Sequence, residues 1–274
     1  MLALCLSALL LAASQDTPPA RMPAPLPEGN VYVRGLVGRQ RAREEALSRY
    51  TYDVLEAEEQ LDRDDSVKKR ETKRYEVFFV KGMPVRRQVE EHDRPLSPDK
   101  QVREDRRSRE KAESIRKGLV AREQTSTQAS QILERYDFRS VARESLPSGN
   151  AILLDFAPLP GKRALDSDNV LRAIAGRIWV DEQDQAVAGA EFRNTTDIKF
   201  ALGLGASIKS LDVRLEFQRM EDGVWLPLRV SATAAGRFLI FKGFRTRETT
   251  TYSNWKRFGV ETEERFESDV PVPR

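Results

Sequence analysis

The stretch Ile208-Lys-Ser-Leu211-Asp212-Val213-Arg214-Leu215-Glu216-Phe217-Gln218 decides the fold. From Leu211 onward apolar and charged residues alternate one for one. A strand turns successive side chains to opposite faces, so this period describes a strand with one covered and one wet face. A helix would need apolar residues three and four apart, and that spacing would set Leu211 beside Arg214 and Leu215. Other strand-like stretches surround it: Arg177–Asp181, Gln185–Asn194, Val224–Thr233, Arg237–Phe244 and Glu248–Phe258. A hairpin of Phe138–Ser145 and Ala151–Phe156 precedes them, turning at Pro147-Ser-Gly-Asn150, with a short helix expected over Ser167–Ala175.

Further upstream, Tyr50–Ala57, Val67–Val80 and Val85–Glu91 read as an antiparallel meander with turns at Asp62-Arg-Asp-Asp65 and Lys81-Gly-Met-Pro84. Ser97 followed by Pro98 marks a helix start, since proline fits the first helical position, where no intrahelical N–H bond is needed. That helix runs to about Lys117 and is polar on nearly every face, as a solvated, ion-paired helix would be. A second helix is expected over Thr127–Tyr136, and another over Val31–Leu47. Many antiparallel strands with helices gathered between the third and fourth define an α+β class. The expected architecture is a curved antiparallel half-barrel with a helical lid inserted after the third strand.

Met1–Ala13 is apolar apart from Ser7, and Ala12 and Ser14 place small residues before Gln15. This run is too short to span a bilayer and suits a signal-peptide core, although no Lys or Arg precedes it. Export to the periplasm or medium is the expectation. Cys5 follows Leu4 where a lipidation signal needs a small residue, so no lipid anchor is assigned there. Residues 15–30 are proline-rich and read as a linker. The chain thus divides into a signal peptide (1–14), a linker and short helix (15–44), a half-barrel domain (45–260) and a tail (261–274).

Composition removes several classes. One Cys excludes a disulfide framework and a zinc finger, and one His argues against a multi-histidine metal centre. Forty-six basic against 43 acidic residues leave a net charge of +3, too balanced for a nucleic-acid arm. Gly203-Leu-Gly205 has no Lys partner and is no phosphate loop; His92, among Glu90, Glu91 and Asp93, reads as an exposed turn residue. The carboxylates Asp62/Asp64/Asp65, Asp181/Glu182/Asp184 and Glu261/Glu263/Glu264 lie in turns or the tail and read as solubility and turn residues. Without a credible base there is no triad to assemble, so no catalytic residue, metal or cofactor is assigned.

Gly176-Arg-Ile-Trp179-Val-Asp181, the strand Ala186-Val-Ala-Gly-Ala-Glu-Phe192 after its turn, and Gly223-Val-Trp225-Leu-Pro227 carry a resemblance. With the order of parts around them, the chain resembles the LolA/LolB/RseB-like superfamily of outer-membrane lipoprotein carriers and envelope sensors. The resemblance covers residues 45 to 258 and implies a half-barrel that binds acyl chains or another apolar moiety non-covalently, with no chemistry. Long-strand residues Val213, Leu215, Phe217, Phe238 and Ile240 are the candidate cavity lining, with Phe200, Leu202 and Leu204 near its mouth. The partners expected are an apolar ligand or a lipidated protein, with peripheral membrane contact and no nucleic acid. Two alternatives stay open. In one, the barrel is filled and the charged meander and helix dock an envelope protein. In the other, the chain is a hydrolase with a pKa-shifted carboxylate.

Overall fold

The computed structural model describes residues 24–120, 135–159, 169–200, 206–238 and 242–257. They form one 12-stranded antiparallel sheet, open at both edges, and three helices. In chain order these are α1 (Gly29–Leu47), β1 (Tyr50–Leu61), β2 (Val67–Val80), β3 (Met83–Glu91), β4 (Arg94–Pro95) and α2 (Pro98–Arg116). Then follow β5 (Tyr136–Leu146), β6 (Gly149–Pro158), α3 (Asn169–Ala173), β7 (Ile174–Asp181), β8 (Ala186–Asn194) and β9 (Ile198–Phe200). Three long strands come last among the described residues: β10 (Ala206–Arg219), β11 (Trp225–Phe238) and β12 (Lys242–Arg257). Across the sheet the order is β4-β3-β2-β1-β12-β11-β10-β8-β7-β6-β5, with β9 paired to β10. The fold is a curved, open antiparallel sheet of the α+β class.

Directly paired residues of an antiparallel sheet share a face, so the register assigns every side chain to one of two. One row runs Phe156, Gly176, Phe192, Val213, Ala232, Glu248, Glu58, Glu71. The next row, on the opposite face, runs Asp155, Arg177, Glu191, Arg214, Ser231, Thr249, Ala57, Thr72. Along this row the first face is apolar from β6 to β11 and acidic from β12 to β2, while further along the same strands it carries Tyr252, Val54, Tyr75 and Val77. On the second face the charge lies at the β6–β10 end, and Phe78, Val80 and Val85 supply apolar side chains on β2 and β3.

The helices follow this change of side. Val33 and Leu36 of α1 pack with Phe138, Leu154 and Phe156 on the first face. Ala112 and Ile115 of α2 pack with Val85 and Phe78 on the second. The helix read as polar all round has a narrow docking stripe, Ser108, Ala112 and Ile115, at the spacing one helical face requires. The α1 N-terminus also guards an edge. Asn30 donates to the Asp137 carboxylate at 3.0 Å and accepts the Phe138 N–H at 2.9 Å, occupying one backbone donor of β5.

Tight turns set the hairpins. Lys81 and Gly82 turn β2 into β3 with both φ angles positive, and His92 and Asp93 do the same between β3 and β4. His92 is exposed at that turn. Gly176, first residue of the Gly-x-Ile-Trp-Val-Asp stretch, lies so close to β8 that an added Cβ would fall 2.0 Å from the Glu191 carbonyl oxygen.

Four readings change. The strand expected over Arg237–Phe244 does not exist as such. Arg237 and Phe238 end β11, and residues from Lys242 begin β12, with Phe238 paired to Lys242. The apolar run Phe238-Leu-Ile-Phe241 hid the change of direction. The helix expected over Ser167–Ala175 stops at Ala173, the end of α3, because Ile174 and Ala175 already pair with β8. The helix expected over Thr127–Tyr136 lies outside the described residues except at Arg135 and Tyr136, and Tyr136 begins β5.

The Asp181/Glu182/Asp184 carboxylates are more than solubility residues. Asp181 is buried and accepts the Asp184 N–H at 2.8 Å. Glu182 takes both arms of the Arg143 guanidinium from β5, at 2.7 and 2.8 Å. Asp184 accepts from Arg219 Nε at 2.5 Å and from Trp225 Nε1 at 2.8 Å. One turn thus ties β5, β10 and β11 together. Hydrogen bonds to a charged group contribute about 1.5–3 kcal/mol each in protected sites. Because Arg219 is 39% exposed, we expect Asp184→Ala to lose about 2 kcal/mol in guanidinium unfolding and Asp184→Asn about half of that.

Candidate functional site

Strands β10 and β11 carry the feature that distinguishes this sheet. On the first face β10 presents Ala206, Ile208, Leu211, Val213, Leu215 and Phe217. Across the ladder β11 presents Phe238, Gly236, Ala234, Ala232, Val230 and Pro227. Every one is apolar. A single-residue shift on each strand, at Lys209 and at Leu228, keeps the sets in step. From Ala206 to Phe217 the strip is about 35 Å long at roughly 3.3 Å per residue.

The strip is half-covered. Leu211, beside Phe192, packs against the α1 cluster. Beyond it Val213, Leu215, Phe217, Val230 and Ala232 are only half-buried. Among the described residues the helices pack most closely on β2, β3, β5, β6 and β9. On its far side the strip meets polar side chains of β12, Thr246, Glu248 and Thr250. The small residues of β11 thus form the floor between the larger Leu, Val and Phe of β10 and that polar rim.

This places the sequence-derived lining. Val213, Leu215, Phe217 and Phe238 share the strip, and Phe200 joins them because Ala206 pairs with both Phe200 and Phe238. Leu202, Leu204 and Ile240 lie outside the described residues. The β11 half of the strip escaped the sequence reading, because Ala232, Ala234 and Gly236 are too small to stand out as a hydrophobic pattern. Their signal was the alternation Val230-Ser-Ala-Thr-Ala.

An aromatic cluster adjoins the Phe217 end on the same face. Tyr252 follows directly after the Arg229–Thr251 pair, and Trp255 stacks on Tyr52 with ring centroids 4.3 Å apart. The indole N–H of Trp255 is buried without a hydrogen-bond partner. Burial pushes the Tyr52 hydroxyl up to about 12 and raises Tyr252 as well. Tyr50 is also pushed up to about 12, by burial first and then by Asp222, to which it donates at 2.5 Å. That bond in turn holds the Asp222 carboxyl below the usual range.

On the opposite face lies a recess of about 840 Å³. Arg177, Arg193 and Arg214 line it together with Asp155, Glu191 and Asp212, and Ala157 and Ala175 leave room between them. Arg177 pairs with Asp155 at 3.1 Å and Arg214 with Glu216 at 3.4 Å, so much of the charge is answered within the sheet. No group of three or more metal-ligating side chains occurs among the described residues.

No family model matches the chain, and no curated protein matches it. Among the solved structures similar to it are two. One is a domain assigned to outer membrane lipoprotein sorting from Vibrio parahaemolyticus, at 12% identity and a TM-score of 0.39, spanning 88% of this chain and 97% of that one. The other is a DUF1329 family protein from Desulfovibrio piger ATCC 29098, at 11% identity and a TM-score of 0.38, spanning 90% of this chain and 96% of that one.

The tyrosines give a pH test. A folded-state value of about 12 against the ordinary value near 10 means that the protonated form is favoured on folding. That stability is fully present below about pH 10 and is lost as pH rises toward 12. We expect the melting temperature to fall across that window, and the fall to be shallower in the Tyr50→Phe/Tyr52→Phe double variant.

Proposed function

We propose that this is an exported envelope protein that holds an apolar chain, such as an acyl group or the lipid moiety of a lipidated partner, along the strip of β10 and β11. The observation that carries this reading is the strip itself: two full strands with apolar side chains throughout one face, half-exposed. A contiguous bare apolar surface of this kind marks a binding surface in a soluble domain. Covering the exposed half of each Val, Leu or Phe is worth roughly 1 kcal/mol. The apolar Met1–Ala13 segment supports export, and no described helix is long and apolar enough to cross a membrane. The role is binding, without catalysis.

A second reading draws on the recess over Arg177, Arg193 and Arg214: a protein partner with complementary charge docks there and the strip serves only packing. The two separate by salt. Charge-mediated docking weakens steeply as ionic strength rises, whereas apolar binding does not.

An apolar fluorescent probe, N-phenyl-1-naphthylamine, should bind saturably, with little change between low and high salt. Leu215→Asp should weaken it at least tenfold. Ala232→Trp, which fills the floor without adding charge, should do the same in a protein of unchanged melting temperature. Val102→Asp on the exposed face of α2 should leave it intact. Intact probe binding in both strip variants would remove the assignment.

A further inference from the structure

Where the strip ends at Phe217, the first face continues into a patch of long side chains with polar tips. In one row Tyr252 pairs with Val54 and Val54 with Tyr75; in the next, Tyr52 pairs with Val77 and Val77 with Arg86. Both valines are buried. Tyr252, Tyr52, Tyr75 and Arg86, one from each of four adjacent strands, thus surround an apolar floor.

These three tyrosines differ from Tyr50, which gives its hydroxyl hydrogen to Asp222, and from Tyr136, which gives its own to the Leu171 carbonyl. Tyr52, Tyr75 and Tyr252 are half-buried, and none of their hydroxyls makes a hydrogen bond among the described residues. Burial raises all three, and the Arg86 guanidinium draws each partly back. The three hydroxyls therefore lie within the field of one cation, on the face that carries the strip.

Charge at the patch is already answered. Arg86 lies over the Tyr75 ring, 4.0 Å from its centroid, and donates to Glu56 at 2.5 Å. Lys73, in the neighbouring row, stands between Glu56 and Glu91. An anionic head would have to draw Arg86 away from Glu56, and an ammonium would find the cation's place over Tyr75 taken. What is unmet is hydrogen bonding. A phenol hydroxyl both donates and accepts, and an uncharged polyhydroxy group does the same.

We propose that Tyr52, Tyr75 and Tyr252, with the Arg86–Glu56 pair, hold an uncharged polyhydroxy head, such as a sugar, at the Phe217 end of the strip. The proposal rests on the reading of the strip as an acyl-chain site and names its class of ligand: a neutral glycolipid, its head over the tyrosines and its chain running toward Ala206. A site that hydrogen-bonds hydroxyls discriminates strongly against ligands that lack them, because its own polar groups are then left unpaired.

The test compares amphiphiles that share an alkyl chain and differ in the head. Dodecyl maltoside, dodecylphosphocholine and laurate are each titrated calorimetrically into the full chain below the micelle concentration, with maltose as the chainless control. Wild type should bind the maltoside at least about tenfold more tightly than the other two amphiphiles, and more tightly than maltose. Tyr52→Phe/Tyr75→Phe/Tyr252→Phe keeps the rings and removes the hydroxyls. It should bring the three amphiphiles to within about twofold of one another, with N-phenyl-1-naphthylamine binding and the melting temperature at neutral pH unchanged. Leu215→Asp should weaken all three alike and keep their order. A wild type that binds the three equally, or prefers the phosphocholine or laurate, overturns the head site and leaves the strip reading standing. So does a triple variant that keeps the preference. Maltose bound as tightly as the maltoside supports the head site while the strip reading fails. No binding of any of the four, or of the naphthylamine, overturns both. The wild-type ranking remains a test even where a variant does not fold.

Discussion

The change of apolar side across the sheet is the constraint on which the rest of this structure depends. A row that begins with Phe156 and Phe192 ends with Glu58 and Glu71, while its neighbour passes from Asp155 and Arg177 to Ala57 and Thr72. Along these rows neither face is apolar from edge to edge, so a single layer of helices laid across them would bury charge at one end. The two long helices accordingly pack on opposite faces. Between them lies the crossing zone of β10, β11 and β12. There one face carries apolar side chains that stay half-exposed, and they are the candidate site.

The same arrangement explains why so much charge is tolerated. The meander and α2 are held by pairs such as Arg74–Glu90 and Arg87–Asp105. Partly exposed pairs of this kind contribute little to stability individually, about 0–1 kcal/mol. Their effect is on position: they fix α2 over β3 while Ala112 and Ile115 supply the burial. The turn around Asp181–Asp184 works differently, because it gathers a buried carboxylate, two guanidiniums and an indole from four strands, and truncating it leaves those donors without an acceptor.

Much of this was legible in the sequence, and the failures have identifiable causes. The period of two located β1, β2, β3, β10 and β12, and Ser97-Pro98 located the start of α2, although Ser97 makes no side-chain cap bond. Leu211-Asp-Val-Arg-Leu-Glu-Phe217 gave the correct alternation, but the apolar residues of that face are half-buried where a covered face was expected. Alternation reports which side chains face together; it does not report whether anything lies on top. The pairing partner was hidden for a related reason. Ala232, Ala234 and Gly236 contribute to an apolar face only because larger residues stand across from them, and that requires the register. The functions of Asp184 and Glu182 were illegible because their partners, Arg219, Trp225 and Arg143, lie far away in the chain.

One feature of the topology bears on how the molecule comes into being. β1 is paired on one side with β2, its neighbour in sequence, and on the other with β12, the last strand described. The two halves of the sheet therefore join through a seam between the beginning and the end of the fold. A chain that emerges N-terminus first can close the β1–β2–β3 hairpins early, since their loops are short. The β1 edge must then stay open until β12 arrives, with its unpaired amides offered to any passing strand. Such long-range closure is slow and exposes the chain to aggregation meanwhile. Charged residues along that waiting edge, Asp53, Glu56, Glu58 and Glu59, repel the wrong neighbours until the right one appears.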